Sequence, residues 1–272
     1  METLASGVLL VPLRTPTLPP ATATNCLIVG ERRVAVIEPA TPFDDQRRVL
    51  DGQLEGKEVV AILLTHHHAD HVGYAPELRE RIRAPILAHR ETARRLPFPV
   101  DRPIDDGAVV EVGDGLALEA FFTPGHAPGH LVFLERRSRI AYAGDMVAGT
   151  GTVLIDPRDG GHMGQYLASL ERLRSIGASM LVPAHGPVLR DPEAIVEQYV
   201  LHRRMREGKV LAAIGRGATL GEVLRGAYDD TPKLLWPLAL RSLEAHLELL
   251  VEEGRVLREG DYVRPVAVRT RS

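Results

Sequence analysis

Four histidines and one aspartate crowd into six consecutive positions, His66-His67-His68-Ala69-Asp70-His71. Three more candidates lie far along the chain, each in a loop that carries glycine: Pro124-Gly125-His126, Gly144-Asp145 and Pro183-Ala184-His185-Gly186. Imidazole and carboxylate suit borderline divalent cations such as zinc, iron and manganese, and a set without thiolate argues against a structural zinc site. The seven ligands His66, His68, Asp70, His71, His126, Asp145 and His185 are too many for one ion with an open coordination position, and suit two. The expected division gives His66, His68 and His126 to a first ion and Asp70, His71 and His185 to a second, with Asp145 bridging. Two divalent ions, less two aspartates and a bridging hydroxide, leave about one positive charge, which favours an anionic or carbonyl-bearing substrate. Water on such ions reaches a pKa of roughly 7 and is a nucleophile at neutral pH. Asp70 and Asp145 are the expected catalytic residues, Asp70 orienting the nucleophile and taking part in proton transfer.

The elements that must position these groups follow from the apolar runs. Residues 59–64 read as a strand buried on both faces. Beyond it, His66 and His68 are two apart, so an extended backbone sends both rings to one side, while His67 points away and packs or hydrogen-bonds outside the site. Strands at 116–122, 140–143 and 180–182 precede His126, Asp145 and His185, so the candidates gather at the carboxyl ends of strands. Residues 34–37 and 86–88 add further strands, 130–134 pairs with 140–143 in a hairpin, and 163–176 forms an amphipathic helix stopped by Gly177. This is an α/β (α+β) arrangement, a mixed sheet or two packed sheets covered by helices. After residue 191 the pattern turns helical, giving domains 1–191 and 192–272. A long helix spans 192–214, Thr219-Leu220-Gly221-Glu222 forms a capping box, and Thr231-Pro232 starts a helix that runs to Gly254. Extended pieces at 255–257 and 262–264 complete a winged-helix-like unit. His89 and His246 read as surface or satisfied core residues; His130 and His162 are left open, His130 being a candidate neighbour of the site through its proximity to His126.

Composition limits the partners. The 272 residues are 44% hydrophobic and 25% charged with a net charge of −3, which excludes a disordered chain and a strongly basic nucleic-acid binder. Cys26 is the single cysteine, so there is no intrachain disulfide. No apolar run approaches the ~20 residues of a membrane helix. Glu2 and Pro12 interrupt the N-terminal apolar patch where a signal peptide needs positive charge and continuity, so a reducing, cytoplasmic setting without membrane contact is expected. Residues 196–272 hold 13 Lys and Arg against 11 Asp and Glu, with Arg203, Arg204, Arg206 and Lys209 on one helix. These cations could touch phosphates, but the expectation is a solvated face or ion pairs with Glu197 and Glu207.

The motif His66-His67-His68-Ala69-Asp70-His71 matches the HxHxDH signature of the metallo-β-lactamase superfamily, and His126, Asp145 and His185 fall in the order of its remaining ligands. The resemblance implies an αββα sandwich with a dinuclear site at one edge, usually zinc, and hydrolysis of esters, thioesters, amides, lactones or phosphodiesters. Residues 123–130, 143–145 and 183–187, with Tyr199-Val200-Leu201-His202-Arg203-Arg204, resemble the β-lactamase-like protein 2 branch. One animal member of that branch is a single-strand-directed endoribonuclease, and fungal relatives are thioesterases that release polyketides from carrier proteins. Tyr74 departs from the pattern, standing where the family often has a second glycine, and its bulk is expected to narrow the pocket mouth. Secreted zinc β-lactamases typically carry cysteine at the position of Asp145, which makes β-lactam hydrolysis a lesser reading. Only 39 residues separate Asp145 from His185, too few for the inserted module of RNA-processing members. Residues 192–272 show no phosphate-binding glycine loop for a flavin. The expected function is therefore hydrolysis of an ester, thioester or lactone by a metal-bridging hydroxide, with a small-molecule or acyl-thioester substrate. The alternative is cleavage of single-stranded RNA, against which aromatics at 4% offer few stacking platforms.

Overall fold

The computed structural model describes residues 1–266; positions 267–272 of the expected C-terminal domain lie outside them. Seven strands form one sheet in chain order: Glu2–Ala5, Val8–Arg14, Ala23–Gly30, Arg33–Ile37, Glu58–Leu63, Ile86–Ala88 and Arg102–Pro103. The first four pair antiparallel and the rest parallel. A second sheet orders Met180–Pro183, Ile140–Gly144, Leu131–Glu135, Leu116–Phe122 and Val109–Gly113, with Met180–Pro183 parallel to its neighbour. Strand alternation divides the core. Leu27, Val29, Ile37 and Leu63 face Leu118, Leu131 and Phe133 between the sheets. Cys26, Ile28, Val36 and Ile62 turn to helices Asp44–Leu54 and Ala75–Ile82. Val132, Leu134 and Ala141 pack on helix Met163–Ser175. The result is helix on sheet, sheet on sheet, sheet on helix.

Three of these strands lie within the first 30 residues, where the sequence reading identifies none. Pro12 sits inside Val8–Arg14, which is tolerated because pairing with Glu2–Ala5 ends at Leu10 and leaves no partner waiting for a donor there. No helix among the described residues is long and apolar enough to cross a membrane.

Helix Pro192–Ile214 opens on an Asp191 cap and a proline in its first turn. The capping box of Thr219 and Glu222 is present in both directions. Thr231 does not cap the next helix. Its carbonyl accepts from Trp236 Nε1 at 3.1 Å, a short 3₁₀ turn Lys233–Leu235 intervenes, and the α-helix runs Trp236–Glu252. Ala218–Thr219, Val256–Glu259 and Tyr262–Pro265 form the three-stranded wing beside a separate core of Val223, Leu243, Leu247, Leu250, Val256 and Val263.

Two further expectations fail in this unit. The basic cluster is neither a wholly solvated face nor paired with Glu197 and Glu207: Arg204 is exposed, but Arg203 and Arg206 are buried, Arg206 pairs with Asp230 at 2.9 Å, and Lys209 pairs with Asp229 and Asp230. Glu207 pairs instead with Arg255. His246 is 1% exposed, and neither of its ring nitrogens has a partner. Burial, with Arg203 and Arg206 nearby, lowers its pKa to about 3. A histidine depressed below its ordinary value favours the native state fully above about pH 6.5, and that contribution is lost as pH falls toward the folded value. His246→Leu is therefore expected to be more stable than the parent, by a margin that grows by about 2 kcal/mol between pH 7.5 and 5. Urea midpoints of both proteins at the two pH values measure it; an equal margin at both would refute a neutral, buried imidazole.

Candidate metal centre

The loops after four strands bring all seven candidates together. His66 Nε2, His68 Nδ1 and His126 Nε2 meet at 2.8, 3.0 and 3.3 Å from one another, and Asp145 Oδ2 lies 3.4 Å from His126 Nε2. Asp70, His71 and His185 form a second group: His71 Nε2 to Asp70 Oδ1 is 3.7 Å, and His185 Nε2 to Asp70 Oδ2 is 3.6 Å. Asp145 touches this group too, with Oδ2 3.7 Å from His71 Nε2 and Oδ1 3.6 Å from His185 Nε2. Donors around a tetrahedral ion with bonds of about 2.1 Å stand about 3.4 Å apart, so both groups have the right spacing.

Hydrogen bonds on the outer side of each ring fix which nitrogen carries the proton. His66 Nδ1–H donates to Thr65 Oγ1 (2.8 Å), whose own proton goes to Glu38. His68 Nε2–H donates to Asp159 (2.6 Å), His126 Nδ1–H to Leu154 O (2.9 Å), His185 Nδ1–H to Ala23 O (3.0 Å), and His71 Nδ1–H to Glu38 Oε2 (2.8 Å). In the neutral rings the inward nitrogens therefore present bare lone pairs, which cannot hydrogen-bond one another. His71 Nε2 and Asp145 Oδ1 are buried and have no hydrogen-bond partner. The inner nitrogens of His66, His68 and His126 face one another and no hydrogen bond among them satisfies them, which fits a cation; the second group, where the Thr17 hydroxyl stands 3.5 Å from His185 Nε2, fits another once the His71 proton is displaced.

Electrostatics agrees. Burial, reinforced by neighbouring imidazoles, pushes His66 and His126 well below their ordinary value, into the neutral form that binds metal. His71 runs the other way: burial opposes its proton, but Glu38, Asp145 and Asp70 outweigh burial and raise it to about 10. A cation at His71 must displace that proton.

Sequence reading missed the residues that hold the ligands. Glu38 is fully buried, accepts from His71, the Thr65 hydroxyl and the Thr65 amide, and lies 2.7 Å from the Tyr142 hydroxyl. The available signal was a carboxylate directly after an apolar strand, the same context as the ligands. Asp159 also accepts from His67 Nε2 at 3.2 Å. Asn25 amide protons reach Pro183 O and Gly186 O, both at 2.8 Å, and clamp the His185 loop. His130 Nε2 accepts from the Asp145 amide at 3.2 Å, which orients that loop. Gly125 has φ +130, and a Cβ there would lie 2.2 Å from Tyr166 N, so only glycine brings His126 in so close to the helix.

A cavity of about 650 Å3 opens over the cluster. His68, Asp70, His126, Asp145 and His185 face it, while His66 and His71 lie buried beneath. Residues 16–21 form one wall, residues 148–156 a second, and the C-terminal helices the far side. Tyr74 does not narrow the mouth. It is packed in the helix layer, its hydroxyl 3.0 Å from Asp51 and its ring against Arg47 and Arg81.

Residues 19–185 match the family model of the metallo-beta-lactamase superfamily, and residues 219–264 that of the beta-lactamase associated winged helix domain. The lactamase-like protein nscB of Aspergillus fumigatus is 32% identical over 222 residues, 75% of this chain and 64% of that protein, so the chain spans just under two thirds of that relative's length. The crystal structure of a metallo-beta-lactamase family protein of Thermus thermophilus superposes with a TM-score of 0.80 at 25% identity, covering 97% of this chain and 100% of the other. The protein TTHA1623, solved in a di-iron-bound form, superposes with a TM-score of 0.52 at 28% identity, over 66% of this chain and 94% of the other. The chain belongs to the metallo-β-lactamase superfamily, whose members are generally hydrolytic enzymes, and it carries after the sandwich the winged helix domain associated with that family.

Proposed function

We propose that this protein is a hydrolase that uses two divalent cations, zinc in the first instance, on the carbonyl of an ester, thioester or lactone. The observation that carries this reading is the convergence of the seven groups, each ring held by an outward hydrogen bond, with the inner nitrogens of His66, His68 and His126 turned on one another without a proton to share. Iron and manganese suit the same ligands, and the di-iron form of TTHA1623 is an instance in a relative. Bound there, the cations would supply Lewis acidity for the carbonyl oxygen and a water acidic enough to attack near neutrality. The chain supplies the rest. Asp70 turns its carboxylate to the cavity beside the inward nitrogens, where it accepts a hydrogen bond from the attacking water and takes its proton. Leu18, Val153, Leu154, Leu235 and Leu238 line the walls and keep water from the acyl chain.

Small-molecule substrates are favoured over single-stranded RNA by two features. Two of the four clustered cations of helix Pro192–Ile214, Arg206 and Lys209, are already neutralised by Asp229 and Asp230, which leaves a narrow basic surface for a phosphate backbone. Among the described residues Tyr228 is the one Phe, Tyr or Trp side chain lining the cavity, too few for stacking successive bases. A boundary near residue 191 belongs to the same reading, supported by the separate core of the C-terminal unit. A reducing, cytoplasmic setting is part of the same proposal, and the single buried cysteine, Cys26, is compatible with it.

The test is turnover of a thioester, a lactone, a phosphodiester and single-stranded RNA by the metal-loaded protein, with Asp145→Ala as blank. Thioester or lactone turnover is expected; salt-sensitive RNA cleavage alone would select the nuclease. Chelation is expected to lower the melting temperature on the order of 10 °C, since binding to the native state at a thousand times Kd contributes about 4 kcal/mol. An unchanged melting curve after chelation would remove the preformed cation pair.

A further inference from the structure

Three arginines line the far side of the cavity, and two of them are answered by carboxylates: Arg206 by Asp230 at 2.9 Å and Arg241 by Asp156 at 2.8 Å. Arg203 is not. It is 4% exposed, donates Nη2–H to Val153 O at 2.5 Å, and lies with its guanidinium 5.1 Å over the Tyr166 ring. Its Nε is buried without a partner, and it meets no carboxylate within ion-pairing distance among the described residues. A guanidinium cannot shed its proton to escape burial, so the charge stays. An uncompensated buried charge is costly, and a carbonyl group and an aromatic face answer it only in part.

The position of this charge relative to the cluster is set by two adjacent residues. Val153 O accepts from Arg203, and Leu154 O accepts from His126 Nδ1. The segment that orients His126 is thus the one that holds Arg203, and both residues face the same cavity. The cavity thus holds the reactive groups and, on the wall formed by the C-terminal helices, a cation lacking its counter-charge.

We infer that the substrate carries an oxyanion, a carboxylate or a phosphate, at the end remote from the scissile carbonyl, and that Arg203 recognises it. The inference rests on the proposed carbonyl hydrolysis for its orientation: the reacting group lies at the metal cluster and the anion against the guanidinium. The preferred substrates are therefore acyl derivatives with an acidic tail, and a neutral acyl chain of the same length leaves Arg203 uncompensated.

The experiment compares phenyl monothioesters of glutaric, adipic and pimelic acids, and of 5-phosphonopentanoic acid, with analogues capped as methyl esters. The metal-loaded parent is expected to favour at least one anionic member by roughly 10–100-fold in kcat/KM, the range of a charge-assisted hydrogen bond. Arg203→Met is expected to abolish that preference, and Arg203→Lys to keep part of it. Whether the carboxylates or the phosphonate lead identifies the oxyanion. A parent that turns over the capped esters as well as every anionic member overturns the inference, as does an Arg203→Met protein that keeps the preference. If no thioester is turned over, the proposed hydrolysis fails on its own, and binding still decides this inference. Calorimetry should then show adipate binding the metal-loaded parent at least about 10-fold tighter than its monomethyl ester. Equal affinities would refute recognition by Arg203. The parent's own preference stands as a test even where Arg203→Met does not fold.

Discussion

Replacing Asp145 by alanine is expected to lower hydrolysis on the order of 1,000-fold while leaving the metal-free protein folded. Asp145 is the one candidate whose carboxylate reaches both groups, with Oδ2 3.4 Å from His126 Nε2 and 3.7 Å from His71 Nε2, and Oδ1 3.6 Å from His185 Nε2. Even residues that only orient ligands change metal affinity by about 10–100-fold when removed. A side chain shared by both groups should cost more, and elemental analysis of the variant is expected to find less than the parent's metal content. The fold should survive because Asp145 follows strand Ile140–Gly144 in a loop oriented by backbone contacts: its amide donates to His130 Nε2, and Gly144 O accepts from Ala184 N. Full metal content together with near-parental turnover in Asp145→Ala would refute the shared-ligand geometry. An Asp70→Ala variant separates the roles, because Asp70 touches only the second group and faces the cavity. Its metal loss should be smaller than that of Asp145→Ala at a comparable loss of turnover.

The convergence of the seven candidate ligands is legible because they obey local rules. A two-residue spacing on an extended backbone aligns His66 with His68, and each distant ligand follows a strand whose apolar run ends in glycine or proline. What holds the ligands was not legible, since Glu38, Asp159 and Asn25 reach their partners across 33, 91 and 158 positions of sequence. The basic helix misled for a different reason. Helix Pro192–Ile214 buries Val196 and Val200 against the sandwich and Val210 and Ile214 against the winged-helix core. With two burial surfaces the helix shows no single apolar stripe, and Arg203 and Arg206 read as exposed when they are buried. The motif position of Tyr74 does not make it a cavity position, because its backbone begins helix Ala75–Ile82 and its ring turns to the outer layer. At the N-terminus, Pro12 hid a strand whose outer edge is unpaired at that point.

Glu38→Ala is expected to be the most damaging substitution for stability, by about 3–5 kcal/mol, the cost of removing one partner of a buried ion pair. Glu38 lies between the sheets with no exposure, next to the apolar strand Arg33–Ile37, and its backbone adopts φ +54, a conformation that costs a side-chain-bearing residue roughly 1–2 kcal/mol. The surroundings enforce that geometry because the carboxylate gathers His71, the Thr65 hydroxyl and the Thr65 amide. Burial opposes its ionisation, but the charge of His71 and the hydrogen bonds from His71, Thr65 and Tyr142 keep the carboxyl below its ordinary value. Alanine leaves each of these donors unpaired in a dry environment. Glu38→Gln preserves shape and one acceptor, so its loss of stability should be smaller, but it removes the negative charge that makes His71 a strong base. The two variants therefore separate two roles. Alanine should shift the denaturation midpoint most, while glutamine should lower metal affinity about 10–100-fold with a modest change in midpoint. In the parent, metal uptake at pH 7 should release a proton from His71, whose pKa stands near 10, and affinity should fall as pH is lowered. Glu38→Gln should release less. Calorimetry of metal binding in buffers of different ionisation enthalpy measures that release, and equal proton release from parent and variant would show that Glu38 does not set the basicity of His71.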